Sequence, residues 1–367
     1  MIFVEDLFNF LQKNKISFFS GVPDSCLKVF TYYLDKFKKK KHLIAANEGG
    51  AVSAGIGYYL STKRLPLIYM QNSGLSNAIN PLISIAHKKV YSIPLLIMIG
   101  WRGSKKSQDE VQHHVKGKIT PKLLKLLDIN FCILRNKRCF SKLRKLIRKA
   151  YDNKKPVAFL IEKDILKAQK KYLPKNNNNF KILRKNFISK LLNKIPYNAK
   201  IISTTGYTSR ELAQIRKEKK SVKGNDFYMV GGMGHSSMVS LGYSLNTRKM
   251  VICLDGDGSL LMHLGALRKL AFFGKTNLKH ILLNNNAHES VGGQRTTAIG
   301  ISFNKLVKSL GYKNYFKISN NKNVDKILKK FLKSRGPSFL EVLISLGTLK
   351  NLSRPSNLIK IKDKFIK

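Results

Sequence analysis

The segment 57–74, GYYLSTKRLPLIYMQNSG, can be laid over 242–259, GYSLNTRKMVICLDGDGS. Tyr58 falls on Tyr243, Leu60 on Leu245, Thr62 on Thr247 and Lys63 on Arg248, an offset of 243 − 58 = 185 in a chain of 367 residues. An internal match displaced by half the chain points to two related domains in tandem. Each copy has the same order: a helix of small residues (GGAVSAGIGYYLS, GHSSMVSLGYSL), a basic turn, an apolar strand, a polar glycine-bearing tip and another helix. The apolar runs LPLIYM, IPLLIMIG, PVAFLIE, KMVICL, LKHILLN and SFLEVLI recur between helical stretches. Strands that are apolar throughout and alternate with helices belong to parallel sheets covered on both faces. The expected fold is therefore α/β, with two tandem doubly wound parallel-sheet domains. The polar, basic, Pro- and Asn-rich stretch KAQKKYLPKNNNNFKILRK interrupts the pattern. It sets a linker at 166–185 between domains spanning 1–165 and 186–367.

The formal net charge is +49, from 69 Lys and Arg against 20 Asp and Glu. Such an excess raises nucleic acid as a partner. The basic residues are dispersed along the whole chain, however, with many lysines, abundant Asn and Ile, and no clustered stripe interleaved with aromatics. That dispersal fits codon bias of an AT-rich genome better than a binding patch, so no nucleic-acid partner is expected. An anionic substrate would still feel the field. No apolar run approaches the length of a membrane span, so no membrane partner is expected either. The start, MIFVEDLFNFLQKNK, carries early acids and helical spacing of Phe and Leu rather than a secretory pattern. Cys26, Cys132, Cys139 and Cys253 have no metal-ligand spacing, and reduced thiols in a cytoplasmic protein are the expectation.

Asp255 and Asp257 stand at the tip of an apolar strand in LDGDGS. A calcium loop counted from Asp255 would need Gly and Glu where Leu260 and Ala266 stand, which excludes it. Ligands of open α/β sheets gather at the carboxyl ends of strands. Gly256 and Gly258 allow close backbone approach there, and Ser259 is expected to open the helix LLMHLGALRKLAFFG, whose N-terminus favours phosphate. Asp257 suits a divalent cation beside that phosphate, with further hard oxygens from NNNAHES at the next strand's end.

A Gly-Asp-Gly followed 285 − 257 = 28 residues later by Asn-Asn resembles the diphosphate-binding motif of the thiamine diphosphate-dependent decarboxylase family. The resemblance implies a pyrimidine-binding domain, then a diphosphate-binding domain, with thiamine diphosphate and Mg²⁺ as cofactors. It implies Asp257, Asn285 and the main-chain carbonyl of Ala287 as metal ligands, with the choice among Asn284, Asn285 and Asn286 left open. AANEGGAVSAG resembles the family's segment bearing the acid that activates the pyrimidine, which makes Glu48 that acid. GGMGHSS resembles the turn that bends the cofactor, with Met233 beneath it and Gly231 offering a carbonyl. His113, in DEVQHHVKG, is the expected proton donor, ahead of His114 and His288. The middle domain of larger relatives in this family is absent.

Within the family, FFSGVPDSCLK, YMQNSGLSNAINPL, YSIPLLIMIGWRG, DEVQHHVKGKIT, MVGGMGHSS and NNNAHESVGGQRT are most similar to the phosphonopyruvate decarboxylases, with sulfopyruvate decarboxylases next. The implied substrate is a small anionic 2-oxo acid. Ser25, Asn72, Ser290 and Gln294 are expected near its anionic group, with Arg102, Arg295 and Arg354 as charge partners, and Asp24 as a catalytic acid or a helix cap. Val111 and Arg295 replace Pro, and Asn286 replaces Gly, so a glycine-like backbone is expected at Asn286. The family pairs the first domain of one subunit with the second of another, which implies a homodimer or a dimer of dimers.

Overall fold

The computed structural model describes residues 1–38, 40–104, 109, 111–173, 178–218 and 224–367. It divides into two units, Met1–Lys175 with Val291–Gln294, and Asn176–Ser290 with Arg295–Lys367. The division falls inside the expected linker. That stretch is ordered at both ends: Leu166–Lys167 pairs with Ile2–Phe3, and Arg184 opens a helix that runs to Leu192. Residues 174–177 lie outside the described residues.

In chain order the strands are β1 (Ile2–Phe3), β2 (Phe19–Gly21), β3 (His42–Ile44), β4 (Leu67–Gln71), β5 (Leu96–Trp101), β6 (Asn130–Leu134), β7 (Val157–Glu162), β8 (Leu166–Lys167), β9 (Lys200–Ser203), β10 (Phe227–Tyr228), β11 (Val251–Gly256), β12 (Leu278–Asn284), β13 (Asn314–Ile318) and β14 (Ser338–Leu343). The first unit holds a parallel sheet ordered β3-β2-β4-β5-β7-β6, and the second one ordered β10-β9-β11-β12-β14-β13. The two orders correspond strand for strand. The repeat read at offset 185 is thus a repeat of topology, since β4 maps onto β11 and the helix before each, Glu48–Thr62 or Ser236–Leu245, occupies the same place.

Successive side chains of a strand point to opposite faces, and both faces are filled here. Leu67, Tyr69, Leu96, Met98 and Phe159 pack on one side of the first sheet, and Ile68, Met70, Ile97, Ile99 and Leu160 on the other. In the second, Ile252, Leu254, Ile281 and Leu340 face one core, and Val251, Leu278, Leu282 and Phe339 the other. Each such side chain withdrawn from water contributes about 1.5–3 kcal/mol.

These sheets position the site by their strand order. From β2 the chain crosses one way to β3, and from β4 the other way to β5, so a crevice opens at the carboxyl ends between β2 and β4. The equivalent crevice in the second unit lies between β9 and β11. The helix expected to run unbroken from Ser259 is two, Asp257–Met262 and Ala266–Phe273, separated at His263, whose φ of −135° and ψ of 56° leave the helical region. Its first part is six residues long, so the dipole available to a phosphate is smaller than the sequence reading expected.

Candidate active site

The first crevice holds a buried acid. Glu48 begins the helix Glu48–Thr62, whose Asn47 cap accepts a hydrogen bond from the Gly50 amide at 2.8 Å. It is 5% exposed, and its Oε2 accepts from Asn77 Nδ2 at 2.8 Å. A Cβ on Gly74 would lie 2.0 Å from Glu48 Oε1, so the carboxyl fills the space that a larger residue at position 74 would take. Asn77 and Gly74 belong to the turn and helix after β4, and sequence reasoning passed over both.

Asp24, at the end of β2, is fully buried. It accepts from the Cys26 amide at 3.0 Å and from the Gln71 amide nitrogen, and a Cβ on Gly100 would meet it at 2.1 Å. Burial raises its pKa, while Gln71, Arg102 and the amides of Cys26 and Leu27 oppose that rise. Asp24 therefore closes a local turn; the helix Lys28–Leu34 has no side-chain cap, so the helix-cap reading is corrected. Asn72 gives both amide hydrogens away, to Arg102 O at 2.9 Å and Thr120 Oγ1 at 3.0 Å, and its oxygen accepts from the Arg102 amide. This pins the turn after β5 and leaves no donor for a substrate, contrary to the expectation. Arg102 is paired with Asp109, Ser25 is exposed, and Arg295 and Arg354 are exposed.

His113 lies on the helix Val111–Leu126, 8% exposed, with Nδ1 lacking a hydrogen-bond partner. Burial and the neighbouring Arg102 cation lower its pKa to about 4, against the pull of Asp109. The imidazole is thus neutral near pH 7. Lys116, one turn further on, has its pKa lowered by burial, against the opposing pull of the Glu48 carboxylate.

The second crevice gathers the other expected residues. Asp257 is 2% exposed and accepts from Thr296 Oγ1. Burial raises its pKa to about 6, with Thr296 and the main-chain amides of Asp257, Gly258 and Asn285 holding it back. Asn284 is committed to Glu341, its Nδ2 donating at 2.9 Å. Asn286 has φ 58°, the left-handed conformation expected where Gly was replaced, and one that Asn tolerates better than most residues. Asn285, 4% exposed, is the amide whose own backbone reaches Asp257. The bridge between Ala287 and Arg295, with the Thr296 amide donating to Asn286 O at 3.0 Å, folds Thr296 back onto Asp257. Asn178, from the Asn run assigned to the linker, donates to Asn285 O at 2.8 Å.

The glycine turn is tied to the same place. Gly232 and Gly234 have φ of 60° and 90°, and the Gly234 amide donates to Ser259 Oγ at 3.1 Å. Thr204, at the end of β9, donates to the same oxygen at 2.9 Å. The Ser259 oxygen thus ties the glycine turn to the end of β9 by accepting from both. A Cβ on Gly258 would meet His288 Nδ1 at 2.9 Å and Met233 Cε at 3.3 Å. So Met233, Gly258 and His288 adjoin, with Gly256 and Gly231 flanking them in the chain. His288 is buried, its Nδ1 has no partner, and burial lowers its pKa to about 4. Ser290 is exposed near Gly206, while Gln294 is buried and donates to Thr31 Oγ1 at 2.9 Å within the first unit.

Beneath the tip, Cys253, Asp255 and His280 share one buried face of β11 and β12. Asp255 Oδ1 accepts from the Gly256 amide at 2.9 Å, and His280 Nδ1 meets Tyr312 Oη at 3.0 Å. All four cysteines are free, as expected.

The residues fit a bound diphosphate and divalent cation on their own chemistry. Asp257, the Asn285 amide and the Ala287 carbonyl are hard oxygen donors, and Gly258 admits the unpartnered buried imidazole of His288 against the backbone. Paired parallel-sheet units with one acid crevice and one oxygen-donor crevice are the organisation of thiamine diphosphate enzymes. Residues 1–123 match the family described as thiamine pyrophosphate enzyme, N-terminal TPP binding domain, and residues 204–342 its C-terminal TPP binding domain. A phosphonopyruvate decarboxylase of Streptomyces viridochromogenes is 30% identical over 374 aligned positions, covering 97% of this chain and 91% of that one. A sulfopyruvate decarboxylase of Methanosarcina acetivorans is 28% identical over 343 positions, covering 85% and 86%. The sulfopyruvate decarboxylase subunit beta of Methanothermobacter thermautotrophicus is 35% identical over 147 positions, 40% of this chain and 74% of that one. The chain belongs to the thiamine diphosphate-dependent decarboxylases of the phosphonopyruvate and sulfopyruvate type. Its cofactor is thiamine diphosphate, for which Mg²⁺ is the usual partner metal. Among the described residues, no helix is long and apolar enough to cross a membrane.

Proposed function

We propose that this chain decarboxylates 3-phosphonopyruvate to phosphonoacetaldehyde and CO₂ without oxidation, as a step of phosphonate biosynthesis in the cytoplasm. The observation that carries the reading is the buried Asp257 carboxylate reached by the Asn285 main-chain amide, in a chain of which 97% aligns with a phosphonopyruvate decarboxylase. Sulfopyruvate is the second reading, favoured by the 28% identical relative of that name.

Bound thiamine diphosphate supplies the electron sink that accepts the electrons left when CO₂ departs. Asp257 and Asn285, with the Ala287 carbonyl, would hold Mg²⁺. Met233 supports the cofactor from the 231–234 turn. Glu48 would hold the proton offered to the pyrimidine ring, and its seat between Gly74 and Asn77 fixes its direction. His113, neutral and with a free ring nitrogen, delivers or accepts the proton exchanged with the substrate-derived carbon. Dispersed lysines draw the anionic substrate in.

The test is steady-state release of aldehyde from phosphonopyruvate, sulfopyruvate and pyruvate, with thiamine diphosphate and Mg²⁺. The expected order of kcat/KM puts phosphonopyruvate first by at least about 100-fold over pyruvate, as loss of a site's charged partner costs. Preference for sulfopyruvate would move the assignment to the second reading.

A further inference from the structure

Asn285 offers a metal an amide, and an amide has two ends of nearly equal shape but opposite chemistry. Something must decide that oxygen, and not nitrogen, faces the cation. In the second unit, Asn285 Nδ2 donates to Glu289 Oε2 at 3.0 Å. A carboxylate can only accept, so it binds the NH₂ end and leaves Oδ1 on the other side. That oxygen accepts from the Ala287 amide at 3.0 Å, which aligns it further and leaves a second lone pair for a metal.

Glu289 is itself held from three sides. Arg184, 4% exposed, donates to the same Oε2, and the Gly347 amide donates to Oε1. Arg184 also reaches Glu211 Oε1 at 3.4 Å, and Glu211, 1% exposed, accepts from Thr348 Oγ1 at 2.7 Å and the Leu349 amide at 3.1 Å. A buried carboxylate is tolerated only when charge and hydrogen bonds compensate it, and Arg184 supplies that compensation for both glutamates. The chain Asn285–Glu289–Arg184–Glu211 thus anchors the metal loop to the helices Arg184–Leu192 and Tyr207–Glu218 and to the segment after β14.

We propose that Glu289, locked by Arg184, is a positioning residue that sets the Asn285 amide with its oxygen toward the diphosphate-bound cation. The proposal rests on the reading of Asn285 as a metal ligand, and deepens it. Partners that orient a ligand typically contribute 10–100-fold to metal affinity.

The probe is Mn²⁺ in the presence of thiamine diphosphate, with bound and free ion counted by electron paramagnetic resonance on the full chain. Glu289→Gln keeps shape but gains a donor, so it no longer distinguishes the two ends of the amide. Its Mn²⁺ affinity is expected to fall roughly 10–100-fold. Exchanging the polarity restores it: in Glu289→Gln/Asn285→Asp, the glutamine amide donates to one aspartate oxygen and the other oxygen ligates. That double variant is expected within a few-fold of wild type, whereas Asn285→Asp alone, with two carboxylates facing each other, is expected to stay weak. A role in folding alone predicts no such rescue. Wild-type affinity in Glu289→Gln, beside loss of binding in Asp257→Ala, overturns the proposal and leaves the ligand assignment standing. Wild-type affinity in Asn285→Ala overturns the assignment and the proposal together. Should Glu289→Gln fail to fold, the double variant decides by itself, and a loss beyond about 10-fold counts against the proposal.

Discussion

Glu48 works in the space left by one missing carbon. Gly74 has φ −84°, open to any residue, so an alanine there is unstrained in its backbone. Its Cβ would nonetheless lie 2.0 Å from Glu48 Oε1 and 2.3 Å from Cδ, and the acid must move. Displacing a reacting group by about 1 Å costs roughly 100-fold. Gly74→Ala is expected to lower kcat about 100-fold while cofactor affinity, measured by calorimetry, changes far less; unchanged kcat would mean that the seat of Glu48 is not what Gly74 provides. At this scale the sequence was informative about groups with chemistry of their own. Glu48, Asp257 and Asn285 stood out by motif. Asn77, Thr296 and Thr204 did not, because each acts by touching a residue that is distant along the chain, 29 positions away for Asn77 and Glu48 and 39 for Thr296 and Asp257. Asn72 misled for the same reason: its polarity was visible, but not that its donors were already spent on Arg102 and Thr120.

At the scale of elements, the metal loop turns on Asn286 at φ 58°. The left-handed region costs an ordinary L-residue about 1–2 kcal/mol, which Asn partly escapes and Gly escapes altogether. Asn286→Ala is expected to destabilise by about 1 kcal/mol, and Asn286→Gly to stay within about 0.5 kcal/mol of wild type, both read from urea denaturation midpoints. Equal midpoints for Ala and Gly would mean that the loop relaxes out of this conformation. The strand runs LPLIYM, IPLLIMIG, PVAFLIE, KMVICL, LKHILLN and SFLEVLI all became central strands, because a strand buried on both faces must be apolar throughout. The shorter β2, β3 and β10 escaped notice, since two or three residues carry no period. The break at His263 was also invisible: the run LLMHLGALRKLAFFG has helical composition on both sides of it.

At the scale of the whole molecule, the two sheets have the same strand order, yet one tip carries an acid and the other an oxygen-donor set. Neither set activates a cofactor alone, so the assembly can be probed by mixing chains. Glu48→Gln is expected to abolish turnover while keeping the cofactor, and Asp257→Ala to lose the cofactor. If each site draws Glu48 from one subunit and Asp257 from its partner, co-expressing the two variants rebuilds one intact site per mixed dimer and restores about a quarter of wild-type activity. No recovery in verified mixed oligomers would place both groups of a site on a single chain.

The sequence by itself determined the class: the 185-residue repeat, the fully apolar strands and the Asp257–Asn285 spacing follow from local periodicity and from the short-range chemistry that phosphate and hard cations demand. Tertiary structure alone decided what surrounds those groups. It committed Asn284 to Glu341, brought Thr296 to Asp257 and Glu289 with Arg184 to Asn285, and left Ser25 and Ser290 exposed. The physical reason is that a buried polar atom must find its partner in space. Space is set by how strands and helices pack, and not by the order in which their residues are strung.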